Sequence, residues 1–203
     1  MVCGCASASR QTGQPDAANT NGGDGGNSGP QDSATASGSC ASPFTGVLAT
    51  WDFSGAAGNQ DSTPSSSTAT GVSAGDVARS SSLTPTAGTD SINSSNWTTG
   101  GSADTTRFYT FGLQPPSGCS MSLKSLAIDT KASSTGPGAA AVATSDDNFT
   151  QMSTFDPSSS ATSTLSVDAS TSMVELRVYG YSASGAAGTL RIQNTLTVSG
   201  SLQ

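Results

Sequence analysis

Met173-Val-Glu-Leu-Arg-Val-Tyr-Gly-Tyr-Ser182 alternates without a break. Val174, Leu176 and Val178 fall on one parity, and Glu175, Arg177, Tyr179 and Tyr181 on the other. A period of two sends these sets to opposite sides of a pleated strand, so the stretch predicts a β-strand with one buried face. The same reading extends outward in both directions. In residues 188–200, Leu190, Ile192, Leu196 and Val198 share a parity, with Arg191 and Gln193 opposite. Tyr109, Phe111 and Leu113 alternate within residues 106–114, which stop at Pro115-Pro116. Residues 139–144 and 163–169 add two further strands, and no segment keeps a helical period for three turns.

Two stretches need more than plain alternation. At the start of the patterned region, Val47, Ala49, Trp51 and Phe53 are expected on the core face, with Leu48, Thr50 and Asp52 opposite. In residues 119–130, Met121 and Leu123 are out of phase with Leu126 and Ile128. One extra residue near Lys124-Ser125, a β-bulge, would bring all four to one side. Residues 54–96 are harder to read, with 72–79 and 92–97 as short strands between loops. Many short strands spread over about 160 residues point to an all-β fold. The expectation is a single antiparallel β-sandwich, jelly-roll-like, over residues 44–203.

Composition separates that domain from what precedes it. Leu, Ile, Val and Phe make up only about 14% of the 203 residues, below the roughly 20% at which disorder becomes a live reading. That figure averages two unlike regions. Apart from Arg10 and Cys40, residues 6–43 are Ser, Gly, Asn, Asp, Gln, Ala, Thr and Pro with no large aliphatic or aromatic side chain, and read as a disordered linker. A flexible tract of that length reaches about 30–37 Å.

Seven Lys+Arg against 14 Asp+Glu leave a net charge of −7, with no basic stripe to neutralise phosphates, so nucleic acid is not an expected partner. The absence of His excludes Ser-His-Asp and Cys-His catalysis and every His-ligated metal site.

Val2-Cys3-Gly4-Cys5 resembles the cleavage box of bacterial lipoproteins, which implies lipidation at Cys5 and makes residues 1–5 a remnant of a signal peptide. The basic and apolar parts of that peptide are expected upstream of Met1, and a lipid on Cys5 would be the only attachment to membrane. Four Cys allow three pairings. With Cys5 lipidated, Cys40–Cys119 is the sensible disulfide, pinning the first strand to the sandwich in an oxidising compartment; in a reducing cytosol both would be free thiols.

Several elements taken together resemble an uncharacterised β-sandwich domain of secreted and surface proteins of environmental bacteria. They are Ala49-Thr-Trp-Asp-Phe53, Val77-Ala-Arg-Ser80, Asn93-Ser-Ser-Asn-Trp-Thr-Thr99, Phe108-Tyr-Thr-Phe-Gly-Leu113, Ser145-Asp-Asp-Asn-Phe149, Leu176-Arg-Val-Tyr-Gly-Tyr181 and Gly188-Thr-Leu-Arg-Ile192. The resemblance covers residues 47–202 and implies a sandwich fold and an extracytoplasmic location, with no implied activity. The chain departs from that pattern at Gln193, where the family tends to carry an acid, and in Asn194-Thr-Leu-Thr-Val198, which is one residue longer.

The candidate site comes from the two strands nearest the opening stretch. If residues 184–188 form a hairpin loop, Tyr181 lies near Arg191 and Tyr179 near Gln193. The resulting face of Arg177, Tyr179, Tyr181, Arg191 and Gln193, with Glu175, combines rings for sugar C–H faces and fork-shaped donors for hydroxyls. The alternative is an ordinary solvated face, or one covered by another strand, with each Arg stacked on a Tyr. Trp97 is either an exposed loop aromatic contacting ligand or a plug at the end of the sandwich. Asp146, Asp147 and Asn148 offer hard oxygen ligands suited to a structural Ca²⁺, against simple turn chemistry; no other cofactor is implied.

Glu175 is the sole Glu, so paired Glu carboxylates for glycoside hydrolysis are absent. The expected function is therefore non-enzymatic: an extracytoplasmic lipoprotein whose sandwich binds a glycan or another extracellular partner. A structural envelope or matrix protein is the alternative, and an Asp-dependent hydrolase the remote one.

Overall fold

Residues 40–203 are described by a computed structural model, and fifteen strands carry their regular structure. After β1 (Phe44–Asp52) come short ribbons: β2 (Ala57–Gly58), β3 (Ser62–Thr63), β4 (Ser67–Thr68), β5 (Ser73–Ala74), β6 (Val77–Arg79) and β7 (Thr84–Pro85). Then follow β8 (Ser91–Ser95), β9 (Phe108–Gln114), β10 (Met121–Ala132) and β11 (Ala139–Thr144). The last four are β12 (Ser153–Phe155), β13 (Ser160–Ser170), β14 (Val174–Tyr181) and β15 (Leu190–Leu202). The expected lipidation at Cys5 and nearly all of the expected 6–43 linker lie outside the described residues.

Two sheets face each other. The first holds eight strands in the order β13-β10-β15-β1-β4, with β8 also on β15 and β2 and β7 on β8. The second holds seven, in the order β12-β11-β14-β9-β6-β3, with β5 on β9. All pairings are antiparallel except β2 with β8. From β9 onward the long strands alternate between the sheets, with β9, β11 and β14 in the second and β10, β13 and β15 in the first. The expected all-β, antiparallel, jelly-roll-like sandwich is the observed architecture.

Bulges set which side chains reach the core. In β10 the register with both neighbours shifts between Leu123 and Ser125. The extra residue at Lys124 puts Met121, Leu123, Leu126 and Ile128 together in the interior, as the phase change in the sequence predicts. β1 carries a second shift, between Val47 and Ala49, that the sequence did not announce. It turns Leu48 inward and leaves Val47 46% exposed, which corrects the expectation for both residues. Apolar residues occupy both parities there, so alternation alone does not mark the extra residue. A third irregularity sits in β15, where Ile128 pairs with Leu196 but Thr130 with Ile192. Gln193, Asn194 and Thr195 therefore oppose Asp129 alone, and Asn194 adopts a left-handed φ of 56°. At this point β15 exchanges β8 for β1 as its neighbour.

The core between the sheets is built on aromatic contacts. Trp51 meets Phe111 edge-on at 5.0 Å, and its Nε1 donates to the carbonyl of Gly75 at 3.0 Å. Tyr109 of the second sheet sends its hydroxyl across to the carbonyl of Leu190 in the first, at 2.6 Å. Burial there pushes the phenol well above its ordinary pKa.

Arg79 ties the short ribbons together. Its guanidinium donates to the carbonyls of Gln60 at 2.5 Å, Gly58 at 3.0 Å and Asn93 at 3.3 Å, and to Ser94 Oγ at 3.0 Å. Burial lowers its pKa, because no carboxylate is bonded to it and the charge is satisfied by backbone dipoles. Arg79→Met would strand several half-buried carbonyls, and a loss of about 3 kcal/mol is expected. At about 2–4 °C per kcal/mol that is a fall in Tm of about 6–12 °C in a thermal melt, with Arg79→Lys intermediate. Unchanged melting would remove this role from Arg79.

Candidate functional site

β14 and β15 lie in different sheets. The segment between them does not turn back as a hairpin; it crosses the sandwich. It is held on the way by bonds from the amides of Ser182 to Gly100 O and Ala183 to Thr98 O. The expected pairing of Tyr181 with Arg191 and of Tyr179 with Gln193 is thereby overturned, and the single Tyr/Arg face becomes two half-faces on opposite outer surfaces.

On the second sheet, β14 runs between β11 and β9, with Tyr179 opposite Ala141 and Phe108, and Arg177 opposite Ala143 and Thr110. The Arg177 guanidinium stacks between two rings, 4.2 Å from the centroid of Phe108 and 3.9 Å from that of Phe149. Phe149 reaches it because Asn148 and Phe149 both take left-handed backbone, with φ of 57° and 60°. Arg177 Nε donates to Glu175 Oε1 at 2.7 Å, and Thr110 Oγ1 donates to the same oxygen at 2.9 Å. Burial is the largest single influence and works against the Arg177 cation, but Glu175 and Tyr179 together outweigh it and the pKa rises.

Tyr179 is fully buried and packs edge-on against Phe108 at 5.9 Å. Burial pushes its phenol up, only partly offset by the nearby Arg177, with which it completes no well-aligned hydrogen bond. Both aromatic faces of the Arg177 stack are thus occupied by the protein itself, and Tyr179 presents no ring to a ligand. Of this half-face, Tyr181 keeps partial exposure.

The first sheet offers a different picture. Asn93 on β8, Arg191 on β15 and Lys131 on β10 form one cross-strand row on its outer surface. The core-facing parity of β15 is that of Leu190 and Ile192, so Arg191 points away from the interior. Thr86, Ser133 and Thr189 join the row around an open depression of about 300 Å³.

The other cations of the domain are spoken for. Arg107 pairs with Asp104, Lys124 with Asp168 and Arg177 with Glu175. Arg79 is consumed by carbonyls. Among the described residues Lys131 and Arg191 alone have neither an ion pair nor a side-chain hydrogen bond, and they are direct cross-strand neighbours. Gln193, two residues along, is not free: with Asn194 it donates to the carboxylate of Asp129. That contact gives a local reason for an amide at 193, since an acid there would meet Asp129.

The remaining candidates have plain placements. Trp97 is 1% exposed, packs edge-on against Tyr109 at 5.3 Å and donates from Nε1 to Ser94 O at 2.8 Å. It is a plug, unavailable to a ligand. Cys40 and Cys119 form a disulfide. Ser145–Asp147 make a 3₁₀ turn closed by left-handed Asn148, and Asp147 Oδ2 accepts the amide of Gln151 at 2.8 Å. These are turn contacts, and among the described residues no three His, Cys, Asp or Glu side chains gather as a metal site. No helix among the described residues is long and apolar enough to cross a membrane.

No family model, curated protein or solved structure matches this chain. The site therefore stands on its geometry alone. Sequence reasoning reached Arg191 but missed Lys131 and Asn93, because their adjacency depends on β8 and β10 both flanking β15. It also missed Phe149, whose approach to Arg177 depends on two successive left-handed residues.

Proposed function

We propose that this protein is a non-enzymatic, extracytoplasmic binding protein, lipid-anchored through Cys5, whose β-sandwich holds an extracellular glycan on the outer face of its first sheet. One observation carries the reading: the uncommitted Arg191–Lys131 row, bordered by Asn93 and three hydroxyl side chains, in a domain whose other described cations are all engaged. Unspent fork-shaped and ammonium donors beside hydroxyls suit a polar sugar surface. The disulfide is compatible with an oxidising compartment.

A glycan array probed with the full chain and with Arg191→Ala tests the proposal. Binding to a defined glycan set is expected, reduced about tenfold by the substitution, a difference of about 1.4 kcal/mol. If nothing on the array is retained, the alternative of a structural envelope protein without a small-ligand site replaces it.

A further inference from the structure

We infer that the first-sheet row is a site for carboxylate-bearing sugars, with Arg191 and Lys131 taking the carboxylate and Asn93 accepting from a neighbouring hydroxyl. The inference rests on the glycan-binding reading above and specifies the ligand class for the same residues.

Its first support is an electrostatic conflict. Lys131 and Arg191 are registered directly opposite each other on adjacent strands. Side chains so placed have Cβ atoms about 4.5–5.5 Å apart, and like charges there destabilise the sheet. Elsewhere among the described residues the protein resolves such charges with a carboxylate, as at Arg107, Lys124 and Arg177. Here it does not. The nearest carboxylate along β10, Asp129, is already engaged by Gln193 and Asn194. A carboxylate laid across the row would accept from the planar guanidinium through both oxygens and from the ammonium as a point charge.

The second support is Asn93, which is 5% exposed. Its Nδ2 donates to the Ala87 carbonyl at 2.9 Å, which fixes the amide orientation. Its Oδ1 is buried and has no hydrogen-bond partner, and the residue lines the depression beside Arg191. An orphaned acceptor lacks a donor, which a bare carboxylate does not bring. A uronic acid supplies both, since its carboxylate sits on a ring carrying hydroxyl donors. No aromatic side chain lines the depression, so ring stacking, the usual anchor for neutral sugars, plays no part.

The test is calorimetric titration of the full chain with three probes: a uronate oligosaccharide, the same oligosaccharide after carboxyl reduction, and inorganic phosphate. The uronate is expected to bind, the reduced form about tenfold or more weaker, and phosphate weaker still. Arg191→Gln and Lys131→Gln should each lose about tenfold in affinity, while their melting temperatures without ligand stay level or rise, because each removes half of the like-charge pair. A merely structural Arg would give the opposite pairing of results.

Equal binding of the reduced oligosaccharide, insensitive to both substitutions, would overturn the acidic-sugar inference and leave the broader glycan reading standing. Phosphate binding as tightly as uronate would reduce the row to a generic anion site and overturn it as well. No heat with any probe, together with a silent glycan array, would overturn both.

Discussion

A Gly200→Ala variant is expected to lose more than about 4 kcal/mol and to melt at least about 10 °C lower, or not to fold. A Cβ at 200 would lie 1.9 Å from the carbonyl oxygen of Ser122 and 3.0 Å from Leu48 Cδ1. The first obstacle is backbone, and it has little freedom to retreat. Ser122 belongs to β10, paired with Ser201 one residue along, two residues before the bulge that brings Leu126 and Ile128 into the core. Ser120 and Gln203 exchange both backbone bonds just beyond. Moving the carbonyl aside means opening the β10–β15 ladder at the centre of the first sheet, and close-packed interiors resist that displacement. Gly101→Ala is the control: a Cβ there would meet nothing within 4 Å and the residue is exposed, so a change within about 0.5 kcal/mol is expected. Circular-dichroism melts of the two variants decide the matter, and equal melting would show that the strands can spread at little cost.

Breaking the Cys40–Cys119 disulfide is the second large effect. The bond closes a loop of 79 residues and secures the segment entering β1 to the start of β10. Chain-entropy arithmetic for that loop gives at most about 4.5 kcal/mol. Both cysteines are buried, so replacing them also removes packing. A Cys40→Ala/Cys119→Ala chain, or the native chain under dithiothreitol, should melt about 9–18 °C lower than the oxidised protein. The double variant should be indifferent to the reductant. Coincident melts of oxidised and reduced native protein would show that the link adds no stability.

The sandwich was legible because β9 and β14 each turn one apolar parity to the core, so Tyr109, Phe111 and Leu113, or Val174, Leu176 and Val178, mark the interior directly. Even the Lys124 bulge left a trace, as a change of phase between Leu123 and Leu126. The Leu48 bulge left none, since Val47, Leu48 and Ala49 are all apolar. The β14–β15 connection was misjudged for a different reason. A few small residues can close a hairpin within one sheet or bridge two sheets, and nothing local distinguishes the cases. The global expectation of a jelly roll, in which successive strands alternate sheets, argued against a hairpin there. The proposed binding row is illegible for the same reason, because Asn93, Arg191 and Lys131 come from three distant parts of the chain.

The position of β15 has a consequence for how the molecule comes into being. It is the last strand in chain order, yet it fills the gap between β10 and both β1 and β8, and it pairs Leu202 with Phe44 across nearly the whole domain. Until it arrives, β1 has only the short β4 beside it. Contacts of such long range are slow to form, so folding falls in the millisecond-to-second regime of non-local β-proteins. Until residues 190–202 are available the first sheet stays in three separate pieces, β13-β10, β1-β4 and β8 with β2 and β7, so this half of the sandwich closes in one late event and not piecemeal.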